Sequence, residues 1–514
     1  MNLRLSLLCL AITASARADV RMAGVFSDHM VLQRGRIVPV WGWADPGEKV
    51  TVTFAGQSAT AVADKDGKWL TQLPPLTASA TPAEILVTGS NTVKLIDVLV
   101  GDVWLGSGQS NMEFAMREVL NAPQEIATAT RPEIRLFTVP RSEKAQIVED
   151  VQARWQACTP ENVTAFSAVL YMFGREIQPV AGVPVGLIHS SVGGTRIELW
   201  TAPEGLATVP ELAEGVARIR DAERIYQERL PAQLPVVEDW IVRARAALAS
   251  GARVPVAPDW PQYPNPNVAS LYHGMIYPVV PFALRGVVWY QGEWNGGENA
   301  IYVKRMQALI AGWRAVWGIP DLPFYYVQLA RMPLKDNPPW LGDGLAPTRE
   351  AQRQCLSIPH TGMATIIDLE GDSGWHPRNK QDVAKRLARW ALHHQYGQQN
   401  LITSGPLYKD MSVEGSRIRL RFDSVGAGLV CGTKSGPEPL QLTPGQALKN
   451  FAIAGADKRW VYASAEIAGN EVLVSAPEVA QPVAVRYAYC QDPQGCNLFN
   501  QDGLPASPFR TDDW

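Results

Sequence analysis

Between about residue 97 and residue 400, short apolar runs alternate with helical stretches. That alternation restricts the middle of the chain to an α/β arrangement around a parallel sheet. Five runs carry the pattern: Val103-Trp-Leu105, Val185-Gly-Leu-Ile188, Gly286-Val-Val-Trp-Tyr290, Phe324-Tyr-Tyr-Val-Gln-Leu329 and Ala364-Thr-Ile-Ile-Asp368. Open parallel sheets bind ligands beyond the carboxyl ends of their strands. The residues that follow each run are therefore where chemistry is expected.

The first run is followed by Gly106-Ser-Gly-Gln-Ser-Asn-Met112 and a helical stretch from Glu113. A serine on such a strand-to-helix turn is exposed, and an oxyanion formed on its substrate meets backbone N–H groups at the helix start. Ser110 read alone is equally a helix cap, because the segment is not the G-x-S-x-G elbow. After the second run, Ser190-Ser-Val-Gly-Gly-Thr195 offers the N–H of Gly193 or Gly194 as an oxyanion donor, or a plain turn. The third run ends in Gln291-Gly-Glu-Trp-Asn295, where Gln291 can donate to an oxyanion and Glu293 can only orient or polarise. The fifth runs into Asp368-Leu-Glu-Gly-Asp-Ser-Gly-Trp-His-Pro377, and Asn379 then reads as the N-cap of an amphipathic helix. Serine needs a base near neutral pH, and imidazole is the usual one. His376 lies at the same sheet edge as Ser110 and is the best candidate. His29 falls in a β region and His393 and His394 in the helix, while His189 and His273 are harder to set aside.

The flanks read differently. Residues 19–96 hold short strand-like runs, such as Val38–Trp43, Lys49–Phe54 and Ile85–Thr88, separated by turn signals, as in a β-sandwich-like domain. Strands return over 401–514, with Arg417–Phe422, Glu471–Val474 and Val483–Ala488. An insertion at about 205–265 is helical and charged over Glu211–Arg229 and Val236–Ala249 and ends Pro-rich. Residues 1–18 read as a signal peptide: Arg4, an apolar run from Leu5 to Ile12, and the Ala16-Arg-Ala18 cleavage pattern. That run is too short to span a bilayer, so an exported protein, periplasmic or extracellular, is expected.

At a formal charge of −3 the chain is not basic enough to suggest a nucleic-acid surface. Tryptophan is frequent, at 17 residues, and flat aromatic faces suit sugar rings, although most will be core. Of the five cysteines after the leader, only Cys490 and Cys496 are close enough to expect a local disulfide. No CxxC, HExxH or Cys/His cluster suggests a metal, and no cofactor is expected.

Together these segments resemble the sialate O-acetylesterases, a branch of the SGNH hydrolases. The resemblance runs from Phe26-Ser-Asp-His-Met-Val-Leu-Gln-Arg34 through Gly101-Asp-Val-Trp-Leu-Gly-Ser-Gly-Gln-Ser-Asn-Met112 to Gly503-Leu-Pro-Ala-Ser-Pro-Phe-Arg-Thr-Asp-Asp-Trp514. The Gly-Gly-Thr, Trp-Tyr-Gln-Gly-Glu and His-Pro-Arg-Asn-Lys blocks fall in family order between them. It implies a three-layer parallel-sheet hydrolase domain over 97–400, flanked by N- and C-terminal β regions. It also implies Ser110 as nucleophile, His376 as base, and an oxyanion hole from the N–H groups of Ser110 and Gly194 with the Gln291 side chain. Arg196, Glu293 and Trp294 are the expected sugar-binding residues. The family's orienting acid usually stands three residues before the histidine, but position 373 is serine. Asp372 is the expected acid, with a Ser-His dyad steadied by a backbone carbonyl as the alternative. The implied activity is removal of O-acetyl groups from a sugar, sialate or otherwise (acetylated xylan, for example). A non-catalytic sugar-binding protein is the more distant alternative.

Overall fold

The computed structural model describes residues 19–369 and 374–514, so the expected signal peptide and Asp372 lie outside the described residues. An 11-stranded mixed sheet organises the chain. Seven of its strands position the site: β1 (Thr92–Gly108), β2 (Arg131–Thr138), β3 (Gln156–Cys158), β4 (Val185–Ser191), β5 (Gly286–Tyr290), β6 (Phe324–Val327) and β7 (Thr361–Ala364). Their order is β3-β2-β4-β1-β5-β6-β7, parallel throughout except for β3 on β2. From β1 the chain first builds β2 and β4 on one side and then β5, β6 and β7 on the other. The strand order therefore reverses at β1, which is where open α/β sheets form their ligand crevice.

The central strands are apolar on both faces because both faces are covered. Every residue of β4 and β5 is buried. Val287 and Trp289 of β5 join one core, against Tyr302, Met306, Leu309 and Trp313 of a helix at Ala300–Trp317. Those four positions share one helical face. Val288 and Tyr290 join a second core with residues of the helices Ala168–Ala181 and Lys380–Gln395.

Strand β1 departs from the sequence reading. It crosses the boundary expected at residue 96: its first half pairs with Ser79–Thr88, and its second half is the centre of the parallel sheet. Burial alternates up to Asp97 and is complete from Val98 onward, so one strand belongs to both regions. The fifth apolar run also shifts. Strand β7 ends at Ala364, and Asp368 beyond it makes a bidentate pair with buried Arg386 at 2.6 and 2.7 Å. Strand β2 has too many charged residues to read as a central strand. Its Arg135 is nevertheless buried and paired with Asp97.

The insertion is one helix, Ala213–Ser250, continuing through Pro231 and Pro235 where two helices were expected. Only Gly215, Ala222 and Ala244 along it are buried. The C-terminal strands, among them Leu407–Glu414, Arg417–Asp423, Glu471–Ser475 and Pro482–Tyr487, enclose a core of their own. The expected Cys490–Cys496 disulfide is not formed. All five cysteines among the described residues are free and buried, and Cys496 Sγ donates instead to the Pro493 carbonyl at 3.2 Å. Among the described residues, no helix is long and apolar enough to cross a membrane.

Candidate active site

Ser110 opens the one-turn helix Ser110–Glu113, directly after β1. The approach to it is very tight. Gly108 has φ +139°, and a Cβ there would lie 2.1 Å from the Tyr290 carbonyl oxygen of the neighbouring strand. Only glycine fits so close a backbone contact. The Gln109 N–H then donates to that same carbonyl at 2.9 Å, and the Val192 N–H to the Gly108 carbonyl at 3.2 Å. The turn is thus pinned between the ends of β4 and β5.

His376 meets Ser110 from the loop before Lys380–Gln395, with Nε2 2.8 Å from Ser110 Oγ. Burial is the largest influence on the imidazole, followed by the charge of Lys380, and both hold its pKa below the usual 6.5. A neutral imidazole at this distance can take the serine proton. His189, in contrast, is buried in β4 with Nε2 2.6 Å from Ser191 Oγ, and burial lowers its pKa to about 4. His273 is buried in the turn Tyr272–Ile276 ahead of β5, where burial lowers its pKa.

The pair lies on the wall between two hollows. One, of about 570 Å³, is lined by Gln109, Gly193, Gly194, Glu293, Trp294 and Trp375. The other, of about 510 Å³, is lined by Glu113, Phe114, Arg117, Glu118 and His189, among others. Trp294 is 58% and Trp375 43% exposed, so two large apolar faces flank the serine. Trp375 was not singled out in the sequence, where it stands as an ordinary loop aromatic beside the histidine.

Gly194, at φ +73°, brings its backbone to the cleft, and its N–H has no acceptor among the described residues. The neighbouring Gly193 N–H is held by the Glu113 carboxylate at 2.6 Å. The first N–H groups of the helix at Ser110 are orphan donors by construction. Gln291, expected as an oxyanion donor, is not among the residues lining the cleft. It is fully buried, and its Nε2 is committed to the Thr195 carbonyl at 3.1 Å and Asn295 Oδ1 at 2.8 Å. Its role here is to join the loops after β4 and β5. Gln109 stands at the cleft instead. Its Oε1 accepts from the Gly292 and Trp294 N–H groups at 3.4 Å, leaving Nε2 without a partner among the described residues.

Arg196 is likewise not at the cleft wall. Its guanidinium donates to the Trp294 carbonyl at 3.0 Å and pairs with Glu198 and Glu298, so it supports the tryptophan loop from behind. Glu293 is buried at the cleft, with Oε1 accepting from Asn111 Nδ2 and Oε2 without a partner among the described residues. Burial raises its pKa.

Comparison with known proteins identifies the family. A family model described as carbohydrate esterase, sialic acid-specific acetylesterase, matches residues 100–229 and 262–392. The mouse (Mus musculus) sialate O-acetylesterase is 30% identical over 97% of this chain and 95% of its own. The rat (Rattus norvegicus) sialate O-acetylesterase is 32% identical over 82% of each chain. A solved carbohydrate acetylesterase from Xanthomonas citri is 35% identical, with a TM-score of 0.77 over 96% of this chain and all of that one. The chain is therefore an esterase, a member of the sialic acid-specific acetylesterase family of carbohydrate esterases.

Proposed function

We propose that this protein is an exported carbohydrate O-acetylesterase with a three-layer SGNH-type hydrolase domain, in which Ser110 is the nucleophile and His376 its general base. The observation that carries this is the 2.8 Å contact of His376 Nε2 with Ser110 Oγ, at a cleft flanked by two exposed tryptophans. His376 takes the serine proton as Oγ attacks the acetyl carbonyl carbon. The oxyanion is stabilised by the N–H groups of Ser110 and Gly194, with Gln109 Nε2 in the place expected for Gln291. The C–O bond to the sugar breaks, and the leaving hydroxyl takes its proton from His376. Water, deprotonated by the same imidazole, then releases acetate and restores the serine. Asp372 is our candidate for the acid that orients the imidazole.

The names of the mammalian relatives support an acetylated sialic acid as substrate. A neutral acetylated sugar is the second reading, supported by the cleft wall. Among its described residues that wall carries Glu293 and no lysine or arginine, whereas a sialic acid brings a carboxylate. Arg117 lines the adjoining hollow. Acetate release from O-acetylated sialic acids and from acetylated xylan, measured side by side, tests the two readings. If sialates are preferred, Arg117→Ala lowers their turnover selectively. Preference for the neutral polymer, with Arg117→Ala silent, retires the sialate reading. No acetate from any acetylated sugar would overturn the proposal.

A further inference from the structure

Lys380 is fully buried at the first residue of its helix, next to the N-cap Asn379. This is a poor place for a cation. The positive end of the helix dipole opposes it, and burial strips its water. No carboxylate among the described residues forms an ion pair with it. Its Nζ donates to Asn111 Oδ1 and lies 4.6 Å from the centre of the Phe114 ring and 5.2 Å from that of Tyr290. Burial accordingly lowers its pKa to about 7. A lysine kept in such surroundings reduces stability relative to an apolar side chain of similar shape. Its benefit must lie elsewhere.

Asn111 shows where. It follows Ser110 directly and is itself fully buried. Its oxygen faces the Lys380 ammonium, while its Nδ2 donates to Glu293 Oε1 and to the Trp375 carbonyl, the latter at 2.8 Å. One amide thus joins the turn of Ser110, the loop after β5 and the loop of His376. The ammonium also fixes which way that amide faces, because it accepts nothing and requires an oxygen opposite it.

We propose that Lys380 is a positioning residue, which through Asn111 locks the turn carrying Ser110 to the loop carrying His376. This rests on the assignment of those two residues as nucleophile and base. The lysine's charge has a second consequence. It acts on His376 from the helix Lys380–Gln395 and disfavours the imidazolium, against Glu118 of the turn Met116–Glu118, which favours it. Among the described residues, Glu113 and Arg117 on the serine side and Glu293 on the loop after β5 are the other charged groups lining the cleft. Removing the positive charge raises the histidine pKa. The acid limb of kcat/KM, where His376 must lose its proton to act as base, then moves to higher pH.

Three variants separate the effects: Lys380→Met has neither donor nor charge, Lys380→Gln a donor alone, and Lys380→Arg both. For Lys380→Met we expect kcat to fall at least about tenfold with KM changed less than threefold, and the acid limb to rise by about half a pH unit or more. Lys380→Gln should recover part of kcat while the limb stays displaced, and it carries the test if the Met variant fails to fold. Lys380→Arg should return the limb to its wild-type position. Labelling with a fluorophosphonate, mapped by mass spectrometry across pH, separates the two levels of the argument. If the wild type is not labelled at Ser110, the nucleophile assignment fails and this inference with it. If Ser110 is labelled, but the Met and Gln variants keep wild-type kcat and acid limb, the inference alone is overturned.

Discussion

The turn that carries Ser110 and the helix Ala213–Ser250 both lie within the middle of the chain, yet they are built on opposite terms. At the serine turn the backbone is packed against backbone, with Gly108 on Tyr290 and Asn111 filled on all sides. Along the long helix only Gly215, Ala222 and Ala244 are buried, and Leu234, Val242 and Leu248 are 45%, 68% and 69% exposed. The family match covers the first region and passes over residues 230–261 in the second. The contrast teaches that the proposed site lies where the chain has no freedom to relax. The insertion is held chiefly by its own return segment, through contacts such as Trp240 Nε1 to the Pro255 carbonyl at 3.0 Å.

The largest effects should follow from the reacting pair. Ser110→Ala and His376→Ala should each lower kcat by at least about 10⁴, with the melting temperature nearly unchanged, because a nucleophile and its base act as one unit. Either variant with near wild-type turnover of an acetyl ester would break the assignment.

One substitution made in both regions sharpens the contrast. Gly108→Ala places a methyl against a carbonyl and should destabilise by about 3 kcal/mol or more, with loss of activity. Gly251, at the end of the long helix, also has positive φ, +68°, but a Cβ there meets nothing within 4 Å. Gly251→Ala should cost only about 1 kcal/mol, the strain of a left-handed alanine, and leave kcat alone. Denaturant unfolding of the pair measures both. Equal losses would mean that the packing contrast has no energetic content.

Trp375→Ala should raise KM for an acetylated sugar about tenfold, roughly 1.4 kcal/mol, with kcat within threefold. If kcat falls and KM holds, Trp375 shapes the His376 loop and does not bind sugar. The smallest effect is expected from the insertion. Tyr226 and Tyr263 lie 5.2 Å apart, ring to ring, so a short turn can replace residues 230–261. That deletion should leave kcat/KM on a small acetyl ester within about threefold. A large loss would show that the insertion completes the site.

Much of the site was legible because strand ends advertise themselves. Ser110 and His376 each follow an apolar run, and the sheet brings them together at its reversal point. The direction of a side chain is not legible in the same way. Gln291 and Arg196 stand on the right loops, but Asn295 and Thr195 turn the first away from the cleft and Glu198 and Glu298 hold the second. Lys380 was visible only as the last residue of the His-Pro-Arg-Asn-Lys block, since a lysine opening a helix normally reads as solvated. Its burial depends on Phe114 and Tyr290, which come from distant parts of the chain. The long helix misled in the other direction, because Pro231 and Pro235 remove backbone donors and predict a break. Strand β1 shows a related limit. Its change from one covered face to two has no turn signal to mark it.

The most direct test of the account is to look for the covalent intermediate itself. The enzyme, mixed with excess acetylated sugar and quenched in acid during turnover, should carry one acetyl group on the peptide containing Ser110. That peptide should remain unmodified in Ser110→Ala, and the acetyl should decay once substrate is exhausted. An acetyl group absent from Ser110, or found on another residue while turnover proceeds, would contradict the assignment on which the mechanism rests.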